Sequence, residues 1–181
     1  MWKKLLLLSL SISLLLVMSA PVTSVNAGGK TIPINWKVAG SIINQVMISG
    51  APPGQTVVLL KAQGAPGPAD LTIIGYAGIP GSISVDGCNF AIPFDGDESV
   101  AVFSDLSMLF AHLMDGGDSW LCVDPQPTTF KFEMEIIGGT GRFDGARGGF
   151  TATGVSQGGG FVGPLSAETG EFIGTIDLSG E

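Results

Sequence analysis

The chain has 181 residues, with 28 glycines, 11 prolines, two cysteines and a formal net charge of −8. That length suits a single domain with a core of its own. All 16 acidic residues follow Ala27, while Lys3 and Lys4 precede it, so the body of the protein is more acidic than the whole; such a surface repels phosphate backbones and anionic lipid, and no nucleic-acid partner is expected.

Residues 1–27 carry the parts of a cleavable secretory signal peptide: a basic start at Lys3 and Lys4, an apolar run from Leu5 to Met18, and small residues at Val25-Asn26-Ala27. The apolar run falls short of the roughly 20 residues that span a bilayer. Cleavage after Ala27 leaves residues 28–181 as one domain, secreted or periplasmic, with no stable membrane insertion once the signal is removed. No cysteine sits near the cleavage site to carry a lipid.

Beyond the signal, turn signals recur roughly every 8–12 residues and separate short runs rich in Val, Ile, Phe and Thr, which is the rhythm of an all-β barrel or sandwich. Weak strands are expected at 31–38, 45–49, 56–61 and 71–76. The runs 99–103 and 108–114 read as a hairpin about Ser104-Asp105-Leu106-Ser107, so apolar that they imply burial on both faces or a shared interior. The strongest strand is 129–137, where Phe130, Phe132, Met134 and Ile136 alternate with Lys131, Glu133 and Glu135, one face dry and one wet. The pattern returns at 149–154 and at 171–178, where Phe172, Gly174, Ile176 and Leu178 share a face. The glycine-rich stretch 154–164 reads as a loop or irregular hairpin. About eight to ten strands result, and closure removes their edges.

Cys88 and Cys122 are the only cysteines. In an exported chain they are expected to form a disulfide, closing a long loop. Their spacing fits no compact metal motif, and His112 is the single histidine, so no metal site is expected. Asp95-Gly96-Asp97-Glu98 resembles only the start of a calcium loop, the rest of which is missing, and Asp115, Asp118 and Asp124 form a second, diffuse acidic group.

Catalytic patterns fail on context. Gly154-Val155-Ser156-Gln157-Gly158 matches a nucleophile elbow by letter, yet glycine follows instead of a helix and the only histidine lies upstream. Glu133 and Glu135 stand roughly 6–7 Å apart, a glycosidase-like separation, but on the wet face of the best strand. Glycines around 138–149 are followed by a β pattern, where a phosphate-binding loop would open a helix. No catalytic residue is assigned and no cofactor is expected.

The segment Gly138-Gly139-Thr140-Gly141-Arg142-Phe143, followed by Gly145-Ala146-Arg147-Gly148, reads as a tight hairpin with Phe143 tucked beneath it. It resembles the turn of the allene oxide cyclase and dirigent barrel superfamily, and is similar to a Thr-Gly-Arg-Phe-x-Gly-Ala turn in small exported bacterial proteins. The match covers about 20 to 25 residues, with the strands on either side agreeing in pattern. The resemblance implies an eight-stranded antiparallel barrel; a β-sandwich is the alternative. It also implies an interior able to hold a hydrophobic small molecule.

The expected function is non-enzymatic binding of a small apolar ligand or of a surface partner. The alternative is a cyclase-like or dirigent-like enzyme acting on a hydrophobic small molecule. An enzyme would place at least two polar groups inside the barrel beside a ligand-sized cavity; a structural module would fill it with apolar side chains. Nothing in the sequence specifies an oligomeric state.

Overall fold

The structure, a computed structural model, describes residues 29–44, 55–78, 81, 83–124, 127–158 and 165–179. The expected signal peptide and the expected strand at 45–49 lie outside the described residues.

Among the described residues nine strands form one antiparallel sheet: β1 (Lys30–Asn44), β2 (Gln55–Ala65), β3 (Ala69–Ala77), β4 (Ala91–Phe103), β5 (Met108–Leu113), β6 (Trp120–Cys122), β7 (Thr128–Thr140), β8 (Ala146–Gly158) and β9 (Leu165–Leu178). Their order is β3-β2-β1-β9-β8-β7-β5-β4, and the β3–β4 pairing closes the ring. Closure makes the fold a barrel, not a two-sheet sandwich.

The wall has eight positions because β5 and β6 share one. Both run antiparallel to β4 and to β7, so they are two lengths of a single split strand. Residues 114–119 loop out between them.

The alternation of 129–137 becomes the wall of the core. Phe130, Phe132, Met134 and Ile136 are each no more than 2% exposed. Phe94, Phe132 and Phe130 stack in series, with centroids 4.6 Å and 5.0 Å apart. Phe150 stacks on Phe172 at 5.5 Å. Each such ring contributes about 1.5–3 kcal/mol by leaving water.

Two expectations that left alternatives open resolve to one of them. The stretch 154–164 is not a loop from its start: β8 continues through Gly154 to Gly158. Glycine is used there for space, since a Cβ on Gly154 would lie 2.5 Å from the Phe130 ring. In the 99–103 and 108–113 hairpin, Ser99, Ala101 and Phe103 face the interior while Val102 is 37% exposed. The barrel is the shared interior, and among the described residues no second layer covers the other face.

Candidate functional site

The barrel interior has two characters. One end is aromatic: Trp36, Phe103, Phe143 and Phe150 pack with centroid separations of 4.6–6.5 Å. Trp36 Nε1 donates to the Gly67 carbonyl oxygen at 2.8 Å, which satisfies the buried indole. Elsewhere inside lie buried polar side chains, Thr56, Thr128, Ser156, Ser166 and Glu168. The β7–β8–β9 ladder joins three of them in one row, Thr128 beside Ser156 and Ser156 beside Glu168.

Glu168 is 2% exposed and Ser156 is fully buried. Glu168 Oε2 and Ser156 Oγ have no hydrogen-bond partner among the described residues. Loss of water from the carboxylate pushes the Glu168 pKa up from 4.5 to about 8. The acid form therefore predominates at physiological pH, and it can donate a proton or a hydrogen bond.

A cavity of about 700 Å³ lies outside the barrel interior. It opens where the strand splits, between residues 83–85 on one side and 113–119 on the other, with Pro93 and Phe94 at its base. Its lining mixes Ile83, Val85, Leu113 and Met114 with Ser84, Asp115, Asp118 and Ser119.

Both walls are anchored. The 114–119 excursion is tied to Glu133 of β7: Asp118 N donates to Glu133 Oε2 at 3.1 Å, and Glu133 N donates to Ser119 Oγ at 3.0 Å. Lys131 Nζ sits 2.9 Å from both Asp118 Oδ2 and Glu133 Oε1. Hydrogen bonds to Asp118 and Glu133 raise the Lys131 pKa, and the bond from Lys131 lowers that of Glu133. The opposite wall is held by the disulfide Cys88–Cys122, with Cα atoms 5.7 Å apart. Val123 N to the Phe90 oxygen at 3.1 Å and Asn89 N to the Asp124 oxygen at 3.1 Å lie beside it.

The glycine-rich turn is remote from the cleft. Gly141–Phe143 form one turn of 3-10 helix, and Gly141 has φ +61° and Gly148 φ +123°, values an L side chain rarely adopts. A Cβ on Gly139 would lie 2.5 Å from the Phe143 oxygen. Thr140 Oγ1 accepts from Met108 N at 3.1 Å, and Ser107 Oγ accepts from Arg142 N at 3.2 Å. The Arg142 guanidinium lies 4.7 Å from the rings of both Phe103 and Phe143. Arg147 donates to the carbonyl oxygens of Ile137 and Ala146. Gly138 sits open on the outer side, where a Cβ would meet only Arg147 Nη1 at 3.8 Å. These residues close one end of the barrel and are not arranged around a ligand space.

His112, Glu133 and Glu135 all point outward. His112 Nε2 lies 3.2 Å from Glu135 Oε2. Ser156 lies inside β8, pairing with Thr128 and Glu168, while His112 is on the outer wall; no triad forms. Asp118 is engaged by Lys131 and Asp124 by Asn89.

Sequence reasoning misses Glu168, although its signal is present. It lies in phase with Phe172 and Ile176, so period-two counting places a carboxylate on the inner face. The cleft has no such signal, because residues distant in the chain assemble it.

No family model and no curated protein matches the chain. Among solved structures it is similar to the pterocarpan synthase dirigent protein GePTS1, at 19% identity and a TM-score of 0.43, over 84% of this chain and 88% of that one. A likeness this distant carries no argument about activity.

Proposed function

We propose that this protein is an exported closed β-barrel that binds a small, partly apolar molecule in the cleft at the split strand, without transforming it. The observation that carries the reading is the cavity of about 700 Å³, within the range of roughly 300–1,000 Å³ that suits small ligands. The described interior supports an outside site, since its aromatic and aliphatic side chains pack against one another. Export is supported by the signal-like first 27 residues and the disulfide. A mature product free of the membrane is supported by the charged outer face of β7 and β9, which carries Lys131, Glu133, Glu135, Glu171 and Asp177. A lipid-facing wall would be apolar.

Native mass spectrometry of the protein from its host's extracytoplasmic fraction tests this. The expected spectrum shows a reproducible added mass that leaves on denaturation. Ser84→Trp, which fills the cleft from an exposed position, abolishes it. Retention by Ser84→Trp refutes the cleft as the site.

A second reading, an enzyme acting on a hydrophobic molecule, is favoured by the neutral carboxyl of Glu168 beside Ser156. A carboxylic acid held protonated at neutral pH is suited to general-acid work. Its test is turnover of the retained compound: consumption by the wild type and not by Glu168→Gln supports it, and equal behaviour removes it.

A further inference from the structure

The outer wall over β2, β3 and β4 lies apart from both candidate sites. The ladder sets Val57, Leu59 and Lys61 beside Ile74, Thr72 and Asp70, and these beside Glu98, Val100 and Val102. The result is a grid of nine outward residues in which five are aliphatic. Leu59 is 43% exposed. The grid continues across β4–β5, where Val100 pairs with Phe110. A register shift between Phe110 and Ala111 leaves Ile137 unpaired against β5 and 43% exposed. Ile74, Val100, Phe110 and Ile137 border a hollow of about 440 Å³ in this face.

The grid's charges occupy opposite corners. Lys61 and Asp70, bonded at 2.6 Å, lie at one; Glu98, with no ion-pair partner among the described residues, lies at the other.

We propose that a second copy of this chain docks here, about a two-fold axis along the diagonal Val57–Thr72–Val102. Rotation about that axis lays Lys61 against Glu98 of the partner subunit, and Glu98 against Lys61 of the partner subunit. It also exchanges the Leu59 and Ile74 positions, so apolar meets apolar, and Thr72 meets itself. Asp70, already held by Lys61, and Val100 are the one unlike pair it exchanges. An interface of this kind must be self-complementary, and with that exception this one is so in charge as well as in polarity. The charge also selects the occupant. At a formal net charge of −8 two copies repel in general. Here the only carboxylate without an ion pair in the grid meets a lysine, and most of the remaining contact is apolar surface that a monomer leaves in water.

Sedimentation equilibrium of the mature protein is the test, with thermal melts confirming that each variant folds. The wild type is expected to be a dimer, and Leu59→Arg a folded monomer. Lys61→Glu and Glu98→Lys each place like charges together twice, raising the dissociation constant on the order of tenfold. Mixing the two variants restores opposite charges at both contacts and recovers the dimer. That recovery distinguishes a contact between copies from loss of the internal Lys61–Asp70 pair. A monomer at the highest concentration the protein tolerates overturns the proposal and leaves the face to a different partner. A dimer that Leu59→Arg and both charge swaps leave intact overturns it as well.

Discussion

Ser156 and Glu168 stand directly opposite one another across the β8–β9 ladder, both inside the barrel. Neither Ser156 Oγ nor Glu168 Oε2 has a hydrogen-bond partner among the described residues. Burial with Oε2 unpartnered favours the neutral acid over the carboxylate, and this gives the molecule a pH dependence. The folded pKa is about 8 against an ordinary 4.5, so between those values the native state holds a proton that the unfolded chain has released. Stability is full below about pH 4.5, declines as pH rises towards 8, and levels off above it. The loss is on the order of several kcal/mol. Thermal melts from pH 4 to 9 are expected to show this decline in the wild type and a flatter profile, with a higher midpoint at neutral pH, in Glu168→Gln. Identical profiles would mean that Glu168 is solvated.

Removing the disulfide is expected to destabilise the barrel and loosen the cleft. The bond closes a separation of 34 residues, for which the loop-entropy relation gives about 3–4 kcal/mol. Cys88→Ser/Cys122→Ser should therefore melt at lower temperature and bind the cleft's ligand more weakly. Melts with and without reductant check the first effect, and native mass spectrometry the second. An unchanged midpoint on full reduction would refute the structural role.

Gly154→Ala is expected to cost about 1–3 kcal/mol by overpacking. The added methyl would lie 2.5 Å from the Phe130 ring and 2.3 Å from the Thr169 carbonyl oxygen. The ring can turn, but the backbone of β9 cannot retreat without breaking its ladder. Gly138→Ala is the matched control, because its nearest neighbour is Arg147 Nη1 at 3.8 Å. Chemical denaturation should separate the two; equal stability would mean that the wall yields at 154.

At the closed end, Phe143 and Arg142 are adjacent but unequal. Phe143 is fully buried, and Phe143→Ala is expected to cost about 3–5 kcal/mol. Arg142 covers that ring from the solvent side, with its side chain 44% exposed, and Arg142→Ala should cost no more than about 1 kcal/mol. Denaturation midpoints decide. A large Arg142 effect would show that the guanidinium, and not the ring, locks the turn.

Much of the wall is legible in the sequence. Phe130, Phe132, Met134 and Ile136 sit at period two, and only one face of such a strand can be dry. The same counting places Phe172 and Ile176 inside, and Glu168 with them once the strand is extended back to its start. The pattern of β8 stops short at Gly154 because glycine reads as a turn. In the fold the missing side chain there is replaced by the Phe130 ring, a cross-strand relationship that one segment alone cannot display.

The class of the fold follows from the sequence: alternation and regular turn signals give an all-β chain of antiparallel strands, with barrel and sandwich both open to it. So does the availability of two cysteines to pair. Register and closure set everything that depends on which strands become neighbours. They split one wall position into β5 and β6 and opened the cleft between residues far apart in the chain. They put Glu168 opposite Ser156, with no hydrogen-bond partner for Oε2 or Oγ among the described residues, and gathered Leu59, Ile74, Val100 and Phe110 into one outer face. A local pattern reports which side of its own strand a residue takes; only the tertiary pairing reports what stands beside it.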